Sequence, residues 1–282
     1  MKIIRFLSFL FIAATSYAQP KIVKDIRYAT SPKKELLLDL YMPTNAIKPA
    51  LMVWVHGGAW SGGSKENPPT EFIEHGFALA SINYRLSGEA KFPAQIHDIK
   101  AAIRFLRANA KKYGFDANKI ILWGSSAGGH LAALAGVTNA DTDLEGDLGD
   151  NLQTSSKVQA ILDYYGPTNL TTILKQSTPH GLNVRTPALE LLFGKPIKDA
   201  SAELNLASPV FHVDKNDPPL FICHGDQDIQ VPINQSIELY GKYKQAGLKI
   251  EMEFIYGAAH GGKEYTNPVL VQQVLKFLNN NL

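Results

Sequence analysis

The sequence has one cysteine, Cys223, among its 282 residues, so no disulfide can form within the chain. We therefore expect an apolar core to hold the fold, and we interpret Cys223 as a small core residue of an apolar strand. Neither sign of charge dominates, because a formal net charge of +2 is too small to indicate nucleic acid or an anionic membrane as a partner. The chain shows no internal repeat and no low-complexity linker. Its 45% hydrophobic and 19% charged residues are typical of a globular protein.

No apolar run in the sequence is long enough to span a bilayer. Residues 1–18 contain two basic residues, a short apolar run, and small residues at the −3 and −1 positions before Gln19. This arrangement is typical of a secretory signal peptide that is cleaved on export. We therefore expect residues 19–282 to form one domain, periplasmic or secreted, with no membrane attachment after cleavage.

A G-x-S-x-G motif occupies residues 124–128. A short apolar run precedes it and good helix formers follow it, so the motif lies where a strand turns into a helix. That context indicates a nucleophile elbow. The tight turn leaves no room for side chains at Gly124 and Gly128, and it exposes a serine hydroxyl to a base. We predict that Ser126 is a nucleophile and not part of an ordinary turn of small residues.

A glycine-rich segment, residues 56–63, directly follows another apolar run. Its high glycine content indicates a loop that uses backbone conformations which other residues avoid. The segment also matches an H-G-G-x oxyanion loop. We predict that the N–H groups of Gly58, Ala59 and Ala127 surround a developing oxyanion, and that His56 braces the loop. The alternatives are a flexible turn or a phosphate-binding loop, but the segment lacks the spacing and the lysine of the latter.

Apolar runs alternate with helical patterns along the chain, which predicts an α/β fold with a mostly parallel sheet and helices on both faces. Functional groups in such sheets lie at the carboxyl ends of the strands. His260 follows the last predicted strand in a loop of small residues, and we predict that it is the general base. The acid that orients it could be Asp226 or Asp228. Asp226 could cap a turn, and we favour Asp228; the order Ser126, Asp228, His260 is that of α/β-hydrolases.

Two further stretches lack a catalytic motif. Residues 139–156 are acidic but miss the ligand spacing of a calcium loop; we predict a solvated loop there, and no metal or cofactor for the protein. Residues 168–208 have weak periodicity and several prolines and glycines. Such an insertion after a central strand often covers a site, and substrate selection is expected there.

These motifs resemble those of α/β-hydrolase carboxylesterases, and most closely the bacterial acetylxylan/feruloyl esterases of the BD-FAE family, near the hormone-sensitive-lipase-like esterases. The resemblance spans most of the chain after residue 18 and rests on these segments: His56-Gly57-Gly58-Ala59-Trp60, Asn83-Tyr84-Arg85-Leu86, Gly124-Ser125-Ser126-Ala127-Gly128-Gly129-His130, Tyr165-Gly166-Pro167, Ala207-Ser208-Pro209, His224-Gly225-Asp226-Gln227-Asp228, Val231-Pro232 and Gly257-Ala258-Ala259-His260-Gly261.

The resemblance implies a serine esterase that needs no metal or cofactor, with its acid at Asp228. It also implies acetyl or feruloyl esters on plant polysaccharide as substrates. An amide hydrolase, either a prolyl-oligopeptidase-type peptidase or an arylformamidase, would use the same triad. The peptidase would need a propeller domain for which the chain has no room, and export disfavours a cytosolic formamidase. The third hypothesis, after the esterase and the amide hydrolase, is a non-catalytic binding protein, although every residue of the predicted triad is present. The sequence does not indicate the oligomeric state.

Overall fold

The computed structural model describes residues 19–32, 34–139 and 142–282, and the predicted signal peptide lies outside them. The strands of the described residues form one sheet. Their bounds are β1 Lys21–Ser31, β2 Lys34–Met42, β3 Leu51–Val55, β4 Ala78–Ile82, β5 Ile120–Ser125, β6 Ala160–Tyr164, β7 Leu220–Gly225 and β8 Ile250–Ile255.

The helices of the described residues lie between and after these strands. Their bounds are α1 Ala94–Ala108, α2 Ala110–Tyr113, α3 Ala127–Val137, α4 Thr142–Glu145, α5 Ile173–Gln176, α6 Pro179–Phe193, α7 Ser201–Leu206, α8 Asn234–Gln245 and α9 Pro268–Asn281, with short 3₁₀ helices at Ile197–Asp199, Pro209–Phe211 and Lys263–Thr266. In this described part of the chain, no helix combines the length and the apolar character that a bilayer crossing requires.

The sheet is mostly parallel, as predicted. Its strands lie in the order β1-β2-β4-β3-β5-β6-β7-β8. Strand β2 pairs antiparallel with β1 and β4, and every pairing from β4 across to β8 is parallel. The loops that follow β3, β5, β7 and β8 therefore meet at one edge of the sheet.

The core has two halves because successive side chains of a strand face opposite sides of the sheet. In β3, Val53 packs into one apolar cluster and Met52 into the other. Helices α1, α3 and α8 contribute to the first cluster, and α9 contributes to the second. The prediction of helices on both faces is confirmed, and it explains why the central strands are apolar along their whole length. Cys223 is buried in the second cluster, as predicted.

Strand β1 was not predicted. Its apolar alternation is interrupted at Asp25, which has a φ of 56°, and the register with β2 shifts between Val23 and Ile26. A bulge of this kind moves the apolar side chains out of a strict period of two. The sequence pattern of this edge strand was therefore too weak to detect.

Helix α6 forms inside the insertion 168–208 despite the proline at its centre. The hydroxyl of Thr178 accepts a hydrogen bond from the Gly181 N–H over 3.1 Å, which caps the first turn. Gly194 ends the helix in the left-handed conformation, with a φ of 71°. Local capping at both ends defines a helix that hydrophobic periodicity did not reveal.

The prediction of a solvated loop for residues 139–156 is wrong at Glu145. Its carboxylate lies 3.2 Å from the ammonium of Lys100 and 2.5 Å from the guanidinium of Arg104. Both cations are buried on α1. Glu145 therefore supplies the compensating charge for two cations that the helix holds away from water.

We expect Glu145→Gln to lower the free energy of unfolding by about 2–4 kcal/mol, because two buried cations would lose their carboxylate. The matched control is Glu35→Gln, which breaks an ion pair with Arg27 whose side chains are both more than half exposed. We expect that control to change stability by less than about 1 kcal/mol. Urea denaturation followed by circular dichroism measures both, and equal shifts of the midpoint would contradict the structural role of Glu145.

Candidate active site

Ser126 lies in the turn between β5 and α3 with a φ of 54°, a conformation that is strained for a residue with a side chain. Its N–H donates a hydrogen bond of 2.8 Å to the carbonyl of Tyr164, which helps to hold the turn. A Cβ atom on Gly124 would lie 2.2 Å from the carbonyl oxygen of Gly128, and one on Gly128 would lie 2.0 Å from that of Val55. The predicted geometric requirement for glycine at both flanks is confirmed.

Three side chains from three different loops form one hydrogen-bonded chain. Nε2 of His260 lies 2.8 Å from Oγ of Ser126, and Nδ1 of His260 lies 2.6 Å from Oδ2 of Asp228. Because an ionised carboxylate only accepts hydrogen bonds, Nδ1 carries the proton and Nε2 is left to accept the serine hydroxyl. Asp226 instead accepts the N–H of Gly257 over 2.7 Å on the surface. The histidine therefore contacts the acid that we favoured.

The carboxylate of Asp228 is fully buried. Its Oδ1 accepts the N–H groups of Gln230 and Val231 over 2.8 and 2.9 Å. Its Oδ2 lies 3.2 Å from Nε2 of His224 in addition to the contact with His260. Burial raises the pKa of Asp228, but the hydrogen bonds to His224 and His260 outweigh it and hold the pKa well below its usual range. The acid is therefore ionised at neutral pH.

His224 is a further part of this site, and in the sequence it stands out only as a residue of a segment that carries the resemblance. Its Nε2 lies 3.0 Å from the carbonyl oxygen of Val231, and its Nδ1 lies 2.7 Å from Oγ of Ser236. A carbonyl only accepts, so Nε2 carries the proton and also faces Asp228. The position of His224 at the end of β7, four residues before Asp228, was the signal that could have identified it.

Gly58 and Ala59 lie in left-handed conformations, with φ values of 106° and 50°. The carbonyl of Gly58 accepts hydrogen bonds from the N–H groups of Ser61 and Gly62 over 3.0 and 2.9 Å. These bonds point the carbonyl toward the inside of the loop. Within the described residues, the N–H groups of Gly58 and Ala59 have no hydrogen-bond acceptor. Both residues line the same cavity as Ser126, and Ala127 is the first residue of α3. The three residues predicted to bind an oxyanion thus lie around the serine.

His56 braces the glycine-rich loop, as predicted. Its ring stacks on that of Tyr84 with centroids 4.3 Å apart, and the Tyr84 hydroxyl donates to the His56 carbonyl over 3.1 Å. Nδ1 of His56 lies 2.8 Å from the carbonyl oxygen of Gly57. Burial lowers the pKa of His56, which favours the neutral ring at neutral pH.

A second brace joins this loop to α3 and to the end of the insertion. The indole of Trp60 donates to Nδ1 of His130 over 3.1 Å, and Nε2 of His130 donates to the carbonyl of Ala207 over 2.6 Å. Burial lowers the pKa of His130 to about 4. The ring is therefore neutral, with its single proton on Nε2, and it connects a donor to an acceptor.

Ser126 and His260 open onto a cavity of about 320 Å³. The ring of Tyr165 packs edge-on against His260 with centroids 4.9 Å apart and forms part of the wall. Val184 and Arg185 of α6 form another part, so the insertion reaches the site as expected. No motif surrounds Val184 and Arg185 in the sequence, and Tyr165 belongs to a segment that carries the resemblance but was given no role there. Among the described residues, no cluster of three or more His, Cys, Asp or Glu side chains could hold a metal ion.

Residues 38–243 match the model of the BD-FAE family. The chain belongs to this family. Among curated relatives, Esterase LipC of Mycobacterium tuberculosis is 33% identical over 220 residues, which is 75% of this chain and 52% of LipC. The chain spans about half the length of the curated relatives it matches.

Solved structures of similar proteins cover the chain more completely. A truncated form of a carbohydrate esterase from gut microbiota superposes with a TM-score of 0.84 at 33% identity, covering 95% of this chain and 98% of that one. A bifunctional GH43-CE protein of Bacteroides eggerthii has a TM-score of 0.83 at 35% identity, covering 92% of this chain and 35% of that one. Together with the strand order, these likenesses confirm the predicted α/β-hydrolase fold of this BD-FAE member.

Gly128→Ala tests the close packing of the elbow against β3. We expect it to lower the free energy of unfolding by more than about 3 kcal/mol, because the added methyl group would meet fixed backbone atoms. Gly241→Ala is the matched control, since it also lies in a helix and an added Cβ there meets nothing within 4 Å. We expect that change to stabilise the protein by about 0.5–1 kcal/mol. Thermal unfolding of the two variants compares them, and similar melting temperatures would argue against tight packing at the elbow.

Proposed function

We propose that this BD-FAE member is a serine ester hydrolase that works through an acyl-enzyme on Ser126. The observation that supports the proposal is the hydrogen-bonded chain from the Ser126 hydroxyl through His260 to Asp228. A serine hydroxyl is a weak nucleophile until an adjacent base removes its proton. Here the base is held in the tautomer that can accept that proton, and the buried carboxylate stabilises the imidazolium that forms.

The reaction has two steps in this proposal. Ser126 attacks the ester carbonyl while His260 takes its proton, and His260 then gives that proton to the departing alcohol. Water then attacks the acyl-enzyme while His260 takes its proton, and His260 returns that proton to Oγ of Ser126 as the acyl–Oγ bond breaks and the acid leaves. The N–H groups of Gly58, Ala59 and Ala127 stabilise the negative oxygen of each tetrahedral intermediate, since they are fixed in place before the reaction starts.

We propose acetyl or feruloyl esters of plant polysaccharide as the substrates. Two considerations support this class: membership in the BD-FAE family, and the likeness to a carbohydrate esterase of gut microbiota over nearly the full length of both chains. We also propose export to the periplasm or the medium, which the pattern of residues 1–18 supports and which would bring the enzyme to a polymeric substrate.

Asp228→Asn tests the proposed acid. Its amide could not stabilise the imidazolium in the same way and would favour the wrong tautomer of His260, so we expect kcat on 4-nitrophenyl acetate to fall by roughly 10³–10⁴-fold. Asp226→Asn, two residues away, removes a surface carboxylate that only caps a turn and should keep most of the activity. Comparable losses in the two variants would rule out the assignment of Asp228.

Substrate class is tested with two esters of different acyl groups and with an ester and an amide that share one acyl group. We expect release of acetate from acetylated xylan or of ferulate from methyl ferulate, which separates the two acyl groups. We expect much slower hydrolysis of 4-nitroacetanilide than of 4-nitrophenyl acetate. A higher kcat/KM on the anilide would favour an amide hydrolase, and no turnover of any of these compounds would favour a binding protein.

A further inference from the structure

Four cationic side chains are buried in the described residues: Lys65, Lys100, Arg104 and Arg185. The first three are each within ion-pair distance of a carboxylate. Arg185 is only 1% exposed, yet no described carboxylate forms an ion pair with it. A buried charge without a partner is strongly destabilising, so this exception needs an explanation.

The guanidinium of Arg185 makes few of the hydrogen bonds that its N–H groups can donate. Its Nε donates to the carbonyl of Gln230 over 3.0 Å, and its Nη1 has no partner among the described residues. Burial lowers the pKa of Arg185, and Asp228 acts in the opposite direction. The oxygens of Asp228 are already engaged by the two histidines and by the N–H groups of its own loop. Asp228 is therefore not free to serve Arg185 as an ion-pair partner.

The location of Arg185 indicates where its partner must come from. Arg185 lines the cavity of about 320 Å³ onto which Ser126 and His260 open. A group entering this cavity to reach the serine would pass into the neighbourhood of a cation that lacks a counter-charge. The planar guanidinium can donate two parallel hydrogen bonds to the two oxygens of a carboxylate.

We propose that Arg185 binds a carboxylate of the ester substrate and thereby selects acidic esters over neutral ones. The inference rests on the proposed ester hydrolysis, because it names the substrate class of that same cavity. A neutral sugar hydroxyl could satisfy hydrogen bonds of the guanidinium but would leave its charge uncompensated. The carboxylate could belong to the alcohol side, as in an acetylated acidic sugar, or to the acyl side, as in the half-ester of a dicarboxylic acid.

Two pairs of esters distinguish these sources. The alcohol-side pair is 4-acetoxybenzoate and 4-acetoxybenzamide, and the acyl-side pair is monophenyl adipate and its terminal amide. Within each pair, the shapes are nearly the same and the charge differs. Each kcat/KM is divided by the rate constant of hydroxide-catalysed hydrolysis, which removes the difference in intrinsic reactivity.

We expect the wild-type protein to favour the carboxylate in one of the two pairs by roughly 10- to 100-fold, the range of a hydrogen bond to a charged group. The pair that shows the preference identifies the side on which the carboxylate lies. Equal normalised kcat/KM values within both pairs would overturn the proposal, and so would a preference for the amides.

Variants of Arg185 assign the preference to this side chain. Arg185→Met should abolish the discrimination, so kcat/KM should fall by roughly 10- to 100-fold more on the favoured carboxylate ester than on its amide. Arg185→Lys keeps the positive charge but lacks the planar guanidinium with its paired donors, so it should keep part of the preference. Lys175→Met is the matched control, since it removes one exposed cation from the same insertion, and it should keep the full preference. Equal losses on both esters of a pair in Arg185→Met would indicate a merely structural role and overturn the proposal.

Binding to Ser126→Ala separates this proposal from the proposed catalysis, because the intact esters can bind without turnover. Isothermal titration should give a Kd for the favoured carboxylate ester roughly tenfold or more below that for its amide. The double variant Ser126→Ala/Arg185→Met should lose that difference. If the wild-type protein hydrolyses none of the esters but this binding difference persists, ester hydrolysis fails and the anion site stands. If the protein hydrolyses the esters and Ser126→Ala binds both members of each pair equally, ester hydrolysis stands and the anion site fails.

Discussion

The carboxylate of Asp228 is removed from water and keeps its charge, because two backbone N–H groups and two histidine rings surround it. That arrangement requires the loop after β7 to hold a single shape. The same loop presents the carbonyl of Gln230 to Arg185 on the insertion. The acid therefore fixes the tautomer of His260 on one side, and its loop anchors a wall of the cavity on the other. Loss of this buried charge would disturb both at once.

The other half of the site is held by backbone contacts and two neutral histidines. The turn around Ser126 approaches β3 so closely that a methyl group at Gly128 would overlap backbone atoms. His130 then joins the indole of Trp60 to the carbonyl of Ala207, where the insertion ends. Helix α3 is thus the common support of the serine, the glycine-rich loop and the insertion. Such a rigid frame suits chemistry that depends on N–H groups positioned in advance.

The sequence was sufficient to predict the α/β architecture and to name Ser126, Asp228 and His260, which the structure joins by hydrogen bonds, because parallel strands bring their carboxyl ends to one edge. Between Asp226 and Asp228, the structure brings the favoured Asp228 into contact with His260, and Asp226 contacts the backbone of Gly257 instead. The sequence did not reveal what depends on contacts between distant segments. His224 needs the folded loop to show that it faces Asp228, and Arg185 lies on a proline-containing helix without a motif. Its missing counter-ion is visible only when burial is known.

We propose that Ser126 carries the acyl group during turnover. Rapid chemical quenching during hydrolysis of a slowly deacylating aryl ester, followed by intact-protein and peptide mass spectrometry, tests it directly. We expect the protein to gain the mass of one acyl group, the adduct to map to the peptide containing Ser126, and Ser126→Ala to form none. Turnover of the ester with no adduct on Ser126, together with undiminished hydrolysis by Ser126→Ala, would contradict it.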